Sequence, residues 1–443
     1  MSAKEFRCPC CDTIGQWKNM DHVRLKKFNI DKNGVNTPIN MSACQSCGMI
    51  NYPDKYQTEE QIKEFYRSSY RPAPQAPNLF TGERKLQYHV RFLNPIFENW
   101  RKKGITQPVI GEIGSAYGMF LNWIKGAFPE SYIHGTELTS SYKRVAFHEY
   151  DIKLEDDFDT SKKYDLISSY HVLEHQLDPD KRLAEYAACL KDDGVFYLSC
   201  PVWFRDASNS ATGGFDIDYY WATDHINCWS EQHLEYIIAK ANLEIVTKDV
   251  FVYGNTYILK KSSQNVMRPK WDPKKCVEAA ESIFKCWQLI QENKTAESIQ
   301  AWPNCPSAWI NHYELHRSEF HKSRAELDIF IKDSVSACPN SADVPMFVGD
   351  ILSRYERYDE SLEALKKALH MKPNNPTIIM AISNCHRMKS KKETDPVKKE
   401  KLLRESINLL RFVMSTSTEM MPQALTWAYQ DMSNLPKTYD SPR

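Results

Sequence analysis

The chain has 443 residues, enough for about three domains at the usual size, and 42% hydrophobic with 12% aromatic residues is ample material for packed cores. Lys plus Arg and Asp plus Glu each number 57, so the formal net charge is zero, and no global field draws the protein to phosphate backbones or anionic membranes, which excludes a general nucleic-acid binder. Apolar runs are broken by charges well short of the ~18 residues of a membrane span, and the chain starts straight into cysteines rather than an apolar leader, so the expectation is a cytoplasmic protein with no membrane span.

In chain order the first feature is a cysteine quartet. Cys8-x-x-Cys11 and Cys44-x-x-Cys47 are two thiolate pairs, each able to grip one ion from a tight turn, and four sulfurs suit a tetrahedral structural zinc. The x-x spacing makes Cys10 the spare. Disulfides are disfavoured by compartment and a redox pair by the lack of a nearby βαβ pattern. A segment this small cannot build its own core, so metal supplies most of its folding energy. Prolines at 72, 74 and 77 mark the end of this module.

Next, short apolar runs alternate with amphipathic stretches, the pattern of βα units in a mostly parallel sheet. Strands are expected at Val109 to Ile113, Tyr132 to Leu138, Tyr164 to Tyr170 and Gly194 to Ser199. A hairpin-like pair, Leu243 to Val252 and Thr256 to Lys260, points to an antiparallel edge. Glycine is scarce, 15 in all, yet three fall at 111, 114 and 118, where the first strand meets a helix start. Glycines there let the backbone pass close under a ligand, and the helix N-terminus offers free amides. The dinucleotide spacing G-x-G-x-x-G is absent; E-x-G-x-x-x-G is present, with Ala116 in the middle.

These residues resemble the first motif of class I S-adenosylmethionine-dependent methyltransferases, and further motifs follow in order. Gly135-Thr-Glu-Leu138 is similar to the end of that family's second strand, Tyr164 to His175 with Asp178-Pro179 to the fourth-strand segment, and Leu190 to Pro201 to the fifth. The resemblance implies S-adenosyl-L-methionine as cofactor, held by Glu112, Gly114, Ser115, Ala116, Gly118, Glu137, Leu138, Asp156 and His171. Glu137 would take the two ribose hydroxyls, and Asp156 is the choice among Glu155 to Asp157 for adenine. Cysteine quartet followed by this core, across residues 5 to about 260, resembles bacterial enzymes that methylate nucleotide-linked sugars or glycans.

Methyl transfer is an in-line displacement that needs an oriented nucleophile and, for a hydroxyl or carbon acid, a base. His225 is the first candidate, in an aromatic and acidic segment following the fifth strand, with Asp224 holding its imidazole or acting itself and His175 facing the acceptor. As a metal site, His171 and His175 alone lack a third ligand of obvious origin. A small-molecule O-methyltransferase, or a scaffold built on an idle methyltransferase fold, are the alternatives.

From about 266 the pattern is helical. Pro339 and Pro373 lie 34 residues apart, Pro306 lies 33 before the first, and Gly349, Tyr358, Ala368 and Pro373 occupy positions that resemble a tetratricopeptide repeat, with Ser361 departing from the usual alanine. Such repeats present a concave surface for protein partners or self-association. The expected fold class is α/β, a Rossmann-like methyltransferase sheet with an N-terminal zinc ribbon (1–75), the cofactor-binding domain (76–265) and a C-terminal all-α repeat domain (266–443).

Overall fold

The computed structural model describes residues 6–19, 41–52, 58–68, 79–202, 225–251, 254–339, 341–372, 375–416 and 421–435. Its centre is a six-stranded sheet built from β4 (Val109–Ile113), β5 (Tyr132–Thr136), β6 (Tyr164–Tyr170), β7 (Leu190–Pro201), β9 (Leu243–Phe251) and β10 (Gly254–Lys261). The order is β5-β4-β6-β7-β10-β9, with β4 parallel to both β5 and β6, β6 parallel to β7, and β10 antiparallel to β7 and β9. The short apolar runs become parallel strands because both their faces are covered, while the hairpin-like pair forms the antiparallel edge.

Alternation along each strand divides the core. Leu166, Val195 and Tyr197 pack on one face with Leu93 and Phe97 of α2 (Leu79–Lys102) and Ile124 of α3 (Met119–Ala127). Ile167, Phe196 and Leu198 point the other way, to Leu183 of α5 (Pro179–Ala188) and to Leu234 and Ile238 of α6 (Glu231–Lys240). From β4 the chain crosses by α3 to β5 on one side, then by α4 (Ser140–Tyr150) to β6 on the other. Ile113 pairs with both Thr136 and Ser169, so the carboxyl ends of three strands line up at this reversal. In open α/β sheets that crevice is where ligands bind.

The N-terminal residues form a second, smaller antiparallel sheet in the order β1 (Trp17–Asn19), β2 (Ser42–Cys44), β3 (Ile50–Asn51) and β8 (Asn227–Cys228). Its last strand comes from the segment after β7, so residues 50–51 and 227–228, far apart in the chain, share one ladder. Helix α1 (Glu59–Ser68) follows, tied to the main fold by Arg182–Glu59, Lys63–Asp157 at 2.5 Å and Arg67–Asp156 at 2.8 Å.

Two compact units divide the chain between Asn304 and Cys305. This lies beyond the seam near 265, because α7 (Pro273–Gln291) packs on the N-terminal sheet: a Cβ at Gly48 would sit 2.4 Å from Cys276 Cβ, and Lys18 pairs with Glu281 at 2.5 Å. Helix α8 (Thr295–Ala301) completes the first unit.

Among its described residues the second unit is helical: α9 (Pro306–Phe320), α10 (Arg324–Ala337), α11 (Asp343–Arg354), α12 (Tyr358–Met371), α13 (Pro376–Lys392), α14 (Pro396–Thr416) and α15 (Met421–Ser433). Prolines at the first turn and the side-chain caps Ser323 and Asn375 set the helix starts. Helices α11 and α12 cross closely at Gly349, where an added Cβ would meet Leu365 Cγ at 2.5 Å. The Ser361 hydroxyl donates to the Gly349 carbonyl at 2.6 Å, a physical reason for serine in place of alanine. Pro373 lies outside the described residues.

Candidate active site and metal centre

The cysteine pairs sit on two similar turns. Asp12 N–H donates to the Cys8 carbonyl and Gly48 N–H to the Cys44 carbonyl, and each turn closes on a left-handed residue, Asp12 (φ 64°) and Gly48 (φ 76°). Glycine adopts that conformation without a Cβ penalty, and aspartate tolerates it. Sγ of Cys8 lies 3.6 Å from Cys47 and Sγ of Cys11 lies 3.5 Å from Cys44, all four within 4.8 Å of one another. Two thiolates on one tetrahedral zinc are about 3.8 Å apart, so the donor set fits that ion. Burial pushes the Cys8 thiol up, while hydrogen bonding with Cys44 holds Cys11 down. Cys10 is also buried, beside Cys47 and His233.

His233 braces this turn. Its Nδ1 accepts from Ser230 N–H, so Nε2 carries the proton and donates to the Cys47 carbonyl at 2.8 Å. Burial pushes the imidazole down to about 4, keeping it neutral. An ion-pair cluster docks the module on the main fold: Arg7 and Lys240 converge on the buried Asp180 at 2.7 and 2.8 Å. Burial raises the Asp180 carboxyl, but Arg7 and Lys240 outweigh it and hold it below the usual aspartate range.

At the carboxyl end of β4 the chain takes three left-handed steps, Gly114 (φ 71°), Ala116 (φ 48°) and Gly118 (φ 74°). A Cβ at Gly114 would stand 2.5 Å from Val172 Cγ2, so only glycine permits this path. Alanine at 116 adopts a backbone that costs it about 1 kcal/mol or more relative to glycine. Ser115 N–H donates to the Thr136 carbonyl at 2.7 Å, fastening the loop to β5. Gly118 then precedes the first turn of α3, whose amides face the crevice end of the sheet.

Glu137 follows β5 directly. Its two oxygens accept from Ala116 N–H at 3.0 Å and Thr139 N–H at 2.8 Å. Leu138 N–H and the Thr139 side chain also favour its charged form. Burial raises its carboxyl above the ordinary 4.5, although the backbone donors oppose the shift. Glu112 is buried at the end of β4, and Leu138 is partly buried beside Glu137. Asp156 is engaged by Lys143 and Arg67, and the hydrogen bond from Lys143 holds its carboxyl down.

Past β6, His171 (φ 56°) stacks on Tyr170 with ring centroids 4.4 Å apart. Val172 leads into a short 3-10 turn, Leu173–His175, that inserts Glu174 fully into the interior. Three imidazoles surround this carboxylate: His175 Nε2 at 3.6 Å, His171 Nδ1 at 3.8 Å and His225 Nε2 at 4.0 Å from Oε1. The rings of His175 and His225 meet edge-to-face at 4.8 Å, and Tyr66 of α1 meets His175 at 5.9 Å. His225 and His175, widely separated in the chain, thus share one buried cluster. Asp224 lies outside the described residues.

The residue that sets this arrangement is Asn227, which sequence reasoning did not single out. Its side-chain amide donates to the carbonyl oxygens of Gln176 (2.6 Å) and Glu174 (3.3 Å), and its oxygen accepts from Asn51 at 2.7 Å. Ile226 N–H donates to the Glu174 carbonyl at 2.9 Å, and Tyr52 N–H to the Ile226 carbonyl at 3.1 Å. The β3–β8 ladder therefore carries His225 to the Glu174 turn. Glu174 itself had a local signal, its position between His171 and His175.

A family model described as a methyltransferase domain matches residues 93–248, the segment around this crevice. Among curated proteins none matches the chain. The fold is similar to an O-methyltransferase family protein from Burkholderia thailandensis (14% identity, TM-score 0.31, covering 47% of this chain and 69% of that one). It is similar also to the O-methyltransferase of a trans-AT polyketide synthase multienzyme of Brevibacillus brevis, solved with S-adenosyl-L-homocysteine (15%, 0.28, 44% and 77%). A third is the mitomycin 7-O-methyltransferase (13%, 0.29, 35% of this chain), of which the match spans about half, 49%.

Two outcomes test the framework of the site. Asn227→Ala leaves the Gln176 carbonyl and the Asn51 amide without this partner, so the first unit loses about 1–3 kcal/mol in chemical denaturation. Cys44→Ser lowers bound zinc by one equivalent in elemental analysis and speeds hydrogen exchange over residues 41–52 and 226–229; unchanged zinc contradicts the four-thiolate assignment.

Proposed function

We propose that the protein transfers a methyl group from S-adenosyl-L-methionine to a nucleotide-linked sugar or glycan, with the Glu174, His175 and His225 cluster activating the acceptor. The observation that carries this reading is the adjacency of two sites at one sheet edge: the glycine loop touches Val172, the residue that opens the histidine turn. The bound cofactor supplies an electrophilic methyl on a sulfonium. Residues of this chain would do the rest. Glu137 takes the ribose hydroxyls on its carboxylate, the loop from Gly114 to Gly118 lies beneath the ligand, and His171, Leu138 and Asp156 border it. His225 takes the acceptor's proton directly, oriented by Glu174, in the base-and-orienter arrangement common to activated nucleophiles.

No described helix is long and apolar enough to cross a membrane. The paired helices of the second unit, read as tetratricopeptide-like, would serve a protein partner or self-association.

Tritiated methyl transfer from S-adenosylmethionine across a panel of nucleotide sugars tests the reading. Transfer to at least one sugar is expected, and His225→Ala reduces its turnover about 10²-fold or more. Transfer only to small phenols would replace the acceptor, and unchanged turnover in the variant would remove His225 from the chemistry. By calorimetry, Glu137→Ala weakens cofactor binding about tenfold or more, the worth of hydrogen bonds to a charged acceptor. Because burial raises the Glu137 carboxyl, protonation on acidification removes the acceptor, and wild-type affinity falls with a midpoint above 4.5.

A further inference from the structure

We infer that Glu174, His175 and His225 form a second metal site, holding one first-row divalent ion whose open positions take an acceptor hydroxyl. The ligand atoms of these three buried residues lie within 4.8 Å of one another. Two donors about 2.1 Å from one ion at a tetrahedral angle are about 3.4 Å apart. The observed separations from Glu174 Oε1 are 3.6 Å to His175 Nε2 and 4.0 Å to His225 Nε2. A contraction of a few tenths of an ångström brings each imidazole to that separation from the carboxylate, and the two imidazole donors already lie within 4.8 Å of each other.

The chemistry of the donors agrees. A divalent ion here would place its charge directly beside the fully buried Glu174 carboxylate. Two imidazoles and one carboxylate leave coordination positions open, the composition of catalytic rather than structural sites, and select zinc, iron, manganese or cobalt over magnesium and calcium. His171 Nδ1, 3.8 Å from the same carboxylate, stands beside the set. The site is separate from the N-terminal quartet, whose donors are all sulfur.

This inference deepens the proposed methyl transfer and rests on it only for the acceptor. An acceptor oxygen bound to the ion loses its proton more readily, since a bound divalent ion lowers the pKa of a coordinated hydroxyl. With the ion bound, His225 serves as its ligand in place of the direct base of the metal-free reading, and the hydroxyl proton passes to solvent.

The test is a titration of the zinc-loaded full-length protein with Co²⁺, followed by visible absorption, with cofactor binding measured in parallel. One equivalent taken up, with weak d–d bands and no thiolate charge-transfer band, is the expected result. Glu174→Gln and His225→Ala, checked for folding by circular dichroism, each lose those bands while the quartet keeps its zinc. Wild-type protein that takes up no cobalt, or takes it up with thiolate bands, overturns the site, as do variants that retain full uptake. Absent cobalt uptake with intact cofactor binding and methyl transfer leaves the cluster as a direct base; absent cofactor binding defeats the methyl-transfer reading whatever the metal content.

Discussion

The pairing of Ile50–Asn51 with Asn227–Cys228 is the constraint on which the candidate site depends. It is short. Each hydrogen bond in it is worth about 1 kcal/mol net, so a ladder of this length would fray if its N-terminal partner were mobile. A structural zinc contributes on the order of 10 kcal/mol to the folding of a small domain. By that difference in scale, a zinc held on the four thiolates would supply the rigidity of β3, and β3 that of β8. His225 precedes β8, and Ile226 and Asn227 bond the backbone of the Glu174 turn. A thiolate cluster at the start of the chain thereby governs where an imidazole more than 170 residues later stands.

The docking of that module is electrostatic as well as apolar. Asp180 is nearly buried and would be costly alone; Arg7 and Lys240 meet it from different segments, and Asp12 and Asp178 share their remaining charge. Beneath this cluster Met49, Trp229 and Leu234 join the core of the main sheet. The crevice at the carboxyl ends of β4 to β6 and the thiolate module are consequently parts of one unit, whose core runs continuously from Cys8 to Leu259.

Much of the architecture was legible in the sequence, for local reasons. Val109–Ile113 and Tyr164–Tyr170 are short segments rich in apolar residues, as strands covered on both faces are, and their observed bounds are those expected. The glycine at 114 and the acidic residue at 137 stood out because each sits in a short local pattern, the glycines from 111 to 118 and the strand end Gly135 to Leu138. Strand β8 did not, since two residues carry no period, and Asn227 acquires its role only from Gln176 and Asn51, partners 51 and 176 residues away in sequence. Glu174 was visible between two histidines, yet nothing local shows that His225 returns to it. The end of the first unit was similarly hidden: α7 shares the helical period of the second unit, but its Cys276 packs against Gly48.

A crystal structure of the full-length protein with S-adenosyl-L-homocysteine tests the central claim most directly. The account predicts the ribose hydroxyls on the Glu137 carboxylate, the ligand over the loop from Gly114 to Gly118, and the sulfur directed toward the cluster of Glu174, His175 and His225. A ligand bound elsewhere, or a crevice that stays empty at saturating concentration, would contradict it.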